Sequence, residues 1–282
     1  MKFKYLGFVL FLFASLIVKG QNECVNLCNK GKLLLLDSTD LRFGKYHTHH
    51  NEIFGKYACG YNKYILEAID SIQAKFPDGG GYFIGLKADP PESPIGYDLS
   101  LLGQPLIKAP RTTSYCSGSS YTAFIEALNL IYKDSNKTLC YENYEAMRMQ
   151  ELDNGRREDK VKFWGNWNAD GFGNHFALVQ YSKMGEVIEP KDARPGDFLN
   201  ISWKSGNGHS VVFLGWYVDS DKDTNVVFWS SQKSSNGLAD LVVNINTIAE
   251  VKFVRLINPA YIFTDKFYDK VDYKVKGNKI EF

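Results

Sequence analysis

No stretch of this 282-residue chain carries the roughly 20 consecutive apolar residues that a membrane-spanning helix needs. The longest apolar run, Tyr5 to Val18, is shorter; it follows Lys2 and Lys4 and ends at Gly20, just ahead of Gln21. A basic start, a short apolar segment and a small residue at its end form the pattern of a secretory signal peptide. Residues 1–20 are therefore read as a leader, and the mature chain is expected to begin near Gln21. Cys24 follows Gln-Asn-Glu rather than small apolar residues, which argues against lipid attachment. The expected destination is outside the cytoplasm (periplasm, cell surface or secreted), with no membrane association once the leader is removed.

An excess of charge is also missing. The chain has 33 basic and 32 acidic residues, and without Lys2, Lys4 and Lys19 the balance becomes 30 against 32. Neither a nucleic-acid footprint nor a polybasic membrane patch is expected from it. Repeats and low-complexity tracts are absent, and 44% apolar with 15% aromatic residues excludes a disordered chain. The glycine run "DGGGYFIG" (78–85) lacks the Lys-Ser/Thr and helix of a phosphate-binding loop, so it is read as turn chemistry.

Cysteine is scarce, with five in all. In an oxidising compartment Cys24, Cys28, Cys59 and Cys140 are expected to form two disulfides, which leaves Cys116 as the free thiol. Its context sets it apart. In "RTTSYCSGSSYTAFIEALNLIYK" (111–133) it stands among small polar residues, directly before apolar positions Tyr121, Phe124, Ile125, Leu128, Ile131 and Tyr132 at helical spacing. Ser117, Ser119 and Ser120 suit the capping of that helix.

About 260 residues follow the leader, enough for one large domain or two small ones. Residues 21–60 look irregular, and Tyr64, Ile65, Ala68, Ile69, Ile72 and Phe76 predict a helix over 62–76. A punctuated Pro- and Gly-bearing arm leads to Cys116. "CYENYEAMRMQELDNGRR" reads as further polar helix, and "GNHFALVQY" as a short helix that Asn174 caps. From "DFLNISW" onward, short β-rich runs separated by turns predict an antiparallel meander. Helices preceding an antiparallel meander define an α+β fold. Residues 21–105 are read as an N-terminal extension packed on a catalytic domain of residues 106–282.

A thiol placed at a helix N-terminus meets unpaired N–H groups and the positive end of the macrodipole, which favour its thiolate and an oxyanion beside it. Of the five histidines, His209 opens the run "GNGHSVVFLGWYV", where His209, Val211, Phe213 and Gly215 share one strand face and Ser210, Val212 and Leu214 the other. It is the expected base. The next strand, "NVVFWSSQ", offers Ser230 or Gln232 to orient the imidazole. Ser117 and Gly118 are expected to leave room for a substrate. The aromatics Trp164, Trp167 and Phe172 are candidates for the wall of a groove, although half-buried core aromatics explain them equally well.

"YCSGSSYTAFIEAL", "ARPGDFLNISW" and "GHSVVFLGW", in that order, resemble the NlpC-type and CHAP-type cell-wall cysteine peptidases of the papain-like superfamily. The resemblance spans residues 111–235. It implies a papain-like fold, Cys116 as nucleophile, His209 as base and a polar residue on the following strand, Ser230 or Gln232, as orienter. Tyr115, Ser117, Gly118, Trp167 and Gly208 would border the substrate. Tyr115 stands where NlpC-type enzymes often carry an aspartate, and Cys116 and His209 lie 93 residues apart, which implies an inserted helical segment. The implied reaction is hydrolysis of an amide in peptidoglycan stem peptides through a thioester, by a monomer with no metal or organic cofactor. A non-catalytic wall- or glycan-binding module on a degenerate scaffold is the competing class, and acyl transfer the third.

Two further histidine sites are weighed. In "YHTHHNE", His47 and His49 would share one side of a strand, with Glu52 nearby, but a closed metal site needs more ligands, and a solvated loop is expected. His175 follows Gly-Asn as His209 nearly does, and its helical setting makes it a capping-region or cleft residue rather than the base.

Overall fold

Ile65, Leu66, Ile69 and Ile72 recur at helical steps, and in the structure they form the buried face of the helix Asn62–Lys75. That face packs on a second helix, Cys116–Ile131, whose Tyr121, Phe124, Ile125 and Leu128 are fully buried in the same core. Each such side chain contributes about 1.5–3 kcal/mol on burial. The computed structural model describes residues 31–85, 88–89, 92, 94–149, 163–164, 173–265, 274–276 and 279–281.

In chain order the strands and α-helical elements are β1 (Leu35–Leu36), α1 (His50–Phe54), α2 (Asn62–Lys75), β2 (Leu99–Leu101), β3 (Gln104–Ile107), α3 (Cys116–Ile131), α4 (Tyr141–Ala146), α5 (Gly173–His175, running into a π-helical turn Phe176–Tyr181), β4 (Gly185–Ile188), β5 (Phe198–Trp203), β6 (Gly208–Val218), β7 (Thr224–Gln232), β8 (Gly237–Asn244), β9 (Ile248–Leu256), β10 (Lys274–Lys276) and β11 (Lys279–Glu281). The fold is α+β. Its main sheet has seven strands, in the order β4-β9-β5-β6-β7-β8, with β1 parallel to the far half of β6. Strands β5 to β8 form the expected meander. β9 departs from it, crossing to pair antiparallel with β5 rather than with β8.

One face of the sheet packs on the helices through Val212, Leu214, Val227 and Trp229. The other holds a second apolar cluster with Val211, Phe213, Val226, Phe228 and Phe253. The alternation read from the sequence of β6 holds from Val211 to Leu214. A register shift between Phe213 and Gly215 then breaks it, so Trp216 joins the Phe213 face and Gly215, expected on that face, abuts Leu36 of the helix-side core instead. No described helix is long and apolar enough to cross a membrane.

Pro195-Gly196-Asp197 explains how β5 is fixed at its start. Gly196 has φ +89°, and a Cβ there would fall 2.6 Å from the Asn62 carbonyl oxygen, so only glycine fits so close to the start of α2. The buried Asp197 carboxylate accepts from Arg255 Nε and Nη2 at 2.8 and 2.7 Å, from the Arg194 N–H at 2.7 Å and from Asn62 Nδ2 at 2.8 Å. This node ties β5, β9 and α2 together.

Candidate active site

Cys116 is the first residue of α3. Tyr115, in extended conformation, is the N-cap, and no side chain caps the helix. The serines expected as caps do other work. Ser119 and Ser120 donate back to the carbonyls of Cys116 and Ser117, at 2.8 and 3.1 Å. Ser120 Oγ also meets Ser210 Oγ at 2.8 Å, which pins the first turn of α3 to β6.

The sheet opens to receive the thiol. The β6–β7 register runs from Val218↔Thr224 to Val212↔Trp229 and stops there, although both strands continue. In an antiparallel strand the N–H and C=O of one residue point to the same neighbour. The Ser210 carbonyl accepts the Ser230 hydroxyl at 3.0 Å, and the Ser210 N–H faces the Cys116 sulfur. Cys116 therefore occupies the place where β7 would have paired. Its own N–H and that of Ser117 also face the sulfur, as does the Tyr115 hydroxyl. Converging N–H groups of this kind suit a thiolate or an oxyanion.

His209 lies beside Ser210, edge-on to Phe228 at 5.6 Å between ring centroids. Of the two candidate orienters, Gln232 is the one that interacts with the imidazole. Gln232 Nε2 is committed to Ser235 Oγ at 2.7 Å and to the Ala239 carbonyl at 3.2 Å, which leaves Oε1 for the ring. That oxygen is buried and has no hydrogen-bond partner among the described residues, so it is available to accept one from His209. Ser230 Oγ is engaged by Ser210 and, at 3.4 Å, by Ser119.

The resting site is closed and uncharged. Cys116 is 4% and His209 8% exposed. Burial pushes the thiol up to about 11, against the pull of the surrounding donors. Burial also pushes His209 down to about 4, against the opposing contact with Gln232. At neutral pH the pair is a thiol and a neutral imidazole.

The substrate-side residues differ in fate. Gly118 leaves no room for a ligand, because a Cβ there would fall 1.9 Å from the Pro94 carbonyl oxygen and the chain at 94–95 fills the space. Ser117 is fully buried. Gly208 opens β6 opposite Ser202. Tyr115 stands over the thiol with Tyr82, a residue the sequence reading did not single out, its ring centroid 5.7 Å away. Burial raises the pKa of both phenols, helped by Cys116, so both keep their protons. Trp164 is a core residue, stacked on Phe124 at 5.0 Å and donating to Ser120 Oγ at 3.0 Å, rather than a groove wall. Trp167 and Phe172 lie outside the described residues.

Cys140 and Asn174 differ from expectation. Cys140 is free and exposed, so it closes no disulfide; Cys59 is disulfide-bonded and Cys116 is free. Asn174 sits inside α5, fully buried, with Nδ2 3.3 Å from Ser210 Oγ, and caps nothing. Neighbouring His175 is buried, which lowers it to about 4 with Lys252 assisting.

The "YHTHHNE" segment is no solvated loop. His47 and His50, not His47 and His49, are the inward pair, because helix α1 begins at His50 and breaks the strand-like alternation. His47 Nε2 lies 3.0 Å from Asp240 Oδ2, His50 Nε2 2.8 Å from Asp240 Oδ1, and His50 Nδ1 2.7 Å from Asp70 Oδ1. The donor atoms of His47, His50 and Asp240 lie within 4.8 Å of one another, a spacing a metal ion would accept. The hydrogen bonds favour another use. The His49 N–H points at His47 Nδ1 at 3.1 Å, which puts the ring proton on Nε2, facing Asp240. Burial opposes charge on His50, but Asp240 and Asp70 outweigh it and hold its pKa up to about 9.

No family model, curated protein or solved structure matches this chain.

Proposed function

We propose that this chain is an exported cysteine hydrolase of papain-like design, with Cys116 as nucleophile, His209 as base and Gln232 as the orienter of the imidazole. The observation that carries this reading is the seat of Cys116. The thiol lies at the start of α3, in the opening between β6 and β7, with three backbone N–H groups turned to it and the His209–Gln232 pair on the flanking strand ends. A buried structural thiol has no use for such a ring of donors.

His209 takes the thiol proton as sulfur attacks an amide carbonyl carbon. The carbonyl oxygen becomes an oxyanion held by the Cys116 and Ser117 N–H groups. Collapse breaks the C–N bond, the amine leaves with the proton from His209, and water hydrolyses the thioester with His209 again as base. The chemistry uses no metal or organic cofactor. Peptide amides of peptidoglycan are the proposed substrate, and the enzyme acts as a monomer. Opening of the Tyr115–Tyr82 cover must accompany binding, because the resting thiol is sealed.

Digestion of purified peptidoglycan by the mature protein tests this. New stem-peptide fragments are expected with the wild type and none with Cys116→Ala. A second reading, a non-catalytic wall-binding module, draws on the same burial and raised thiol pKa. Retention on peptidoglycan with no fragments from either protein would favour it.

A further inference from the structure

The two groups that hold the Gln232 amide are themselves held by the segment 45–50, far away in sequence. Ser235, whose hydroxyl accepts from Gln232 Nε2, has its carbonyl bonded by the Tyr46 hydroxyl at 2.8 Å. Ala239, whose carbonyl accepts the other amide hydrogen, precedes Asp240. The Asp240 N–H donates to the Lys45 carbonyl at 2.8 Å, and its carboxylate is shared by His47 and His50. His50 is fully buried and bridges Asp240 on β8 to Asp70 on α2. Asp70 also accepts the N–H groups of His50 and Asn51, at 2.7 and 2.9 Å, which fixes the start of α1 on α2.

A buried histidine between two carboxylates satisfies both only as an imidazolium, donating one N–H to each. Loss of that proton removes one of the donors shared by the two carboxylates and the positive charge between them. The charged and titratable groups facing His50 are Asp70 from α2, Asp240 from β8 and His47 from its own segment. Within the hairpin between β7 and β8, Ser235 Oγ also bonds the Gln232 and Gly237 carbonyls and Ala239 pairs with Ser230, while β7 is tied to Ser114 and Ser119 through Ser231. Among the described residues, the outside bonds to the hairpin turn come from 79–81, Gln73 and the segment 45–50.

We infer that His50, clamped between Asp70 and Asp240, is a positioning residue that, together with Tyr46, aims Gln232 at His209 by fixing the β7–β8 hairpin. The inference rests on the reading of Cys116 and His209 as the reacting pair. It gives the N-terminal segment a role in the site that its distance in sequence conceals. It also makes the alignment sensitive to a proton, since only the charged ring donates to both carboxylates at once.

The test uses the full mature protein labelled with 15N-histidine. The His209 ring nitrogens are read by NMR, and kcat and KM for release of stem-peptide fragments from purified peptidoglycan are measured alongside. Asp240→Asn and Tyr46→Phe are both expected to shift the His209 tautomer balance in the direction produced by Gln232→Leu. Each should lower kcat, about tenfold for Asp240→Asn and about threefold for Tyr46→Phe, as expected for losing or loosening one hydrogen bond, with KM unchanged. The wild type should lose the same alignment with a midpoint near pH 9, where His50 gives up its proton, while His50→Gln should show no such step. A His209 signal unmoved in folded Asp240→Asn and Tyr46→Phe, with only a lowered melting temperature, would overturn the inference. Should Asp240→Asn fail to fold, Tyr46→Phe decides alone. A His209 shift in the variants of a protein that releases no fragments would sustain the positioning and sink the hydrolase reading.

Discussion

His209 and Gln232 face each other across a gap in the sheet. Continuing the β6–β7 register past Val212↔Trp229 would set them directly opposite, but pairing ends there and the Cys116 thiol sits in the opening. The two side chains thus share a face without sharing a ladder, and the N–H of Ser210, next to His209, turns to the Cys116 sulfur.

This relationship separates the two polar candidates on β7. Gln232→Leu removes the partner of the imidazole and should reduce kcat by about 10–100-fold, the equivalent of about 1–3 kcal/mol for an unpaired buried donor. Ser230→Ala removes only a brace to the Ser210 carbonyl and should cost less than about threefold. Initial rates on peptidoglycan fragments measure both.

The free thiols should react in an order opposite to their proposed importance. Cys140 is exposed and Cys116 sealed with a pKa near 11, so iodoacetamide at pH 7.5 should alkylate Cys140 first, with Cys116 at least about tenfold slower. Peptide mapping over time gives the two rates. Faster labelling of Cys116 would mean that the cover over the thiol opens without substrate.

Stability should peak near pH 6.5. His50 has a raised folded pKa, so its contribution is complete below 6.5, falls as pH rises, and is lost above about 9; the shift corresponds to about 3 kcal/mol. His209 and His175 have lowered folded pKa values, so their contributions are complete above 6.5 and fall toward pH 4, by a similar amount each. Melting temperature against pH should show a dome whose acid limb is the steeper. His50→Gln should flatten the alkaline limb.

The Pro-Gly-Asp run should prove structural. Asp197→Asn keeps the shape but leaves the buried Arg255 guanidinium without its counter-charge, at a cost of about 3–5 kcal/mol. Urea unfolding should show the loss in the midpoint.

The parts of the candidate site legible in the sequence were those fixed by local pattern. Small polar residues before an apolar helical stripe marked Cys116, and Gly-His before an alternating strand marked His209. Parity of β7 placed Ser230 and Gln232 on one face but could not rank them, because the difference lies in where pairing with β6 stops. The His50 clamp was hidden for a similar reason. Its partners lie 20 and 190 positions away, and the helix that begins at His50 breaks the two-residue period on which the His47–His49 reading depended. The return of β9 to β5 was equally invisible, since a run of short strands does not say which edge the last one joins. Tyr82 left one trace, an aromatic directly after three glycines, which was spent on turn chemistry alone.

The most direct test of the account is the intact mass of the protein, quenched in acid during turnover of peptidoglycan fragments. The account predicts an acyl adduct on Cys116 that appears before product, vanishes when substrate is exhausted and is absent from Cys116→Ala. Fragments released at full rate by Cys116→Ala, or by the wild type with Cys116 unmodified throughout, would contradict it.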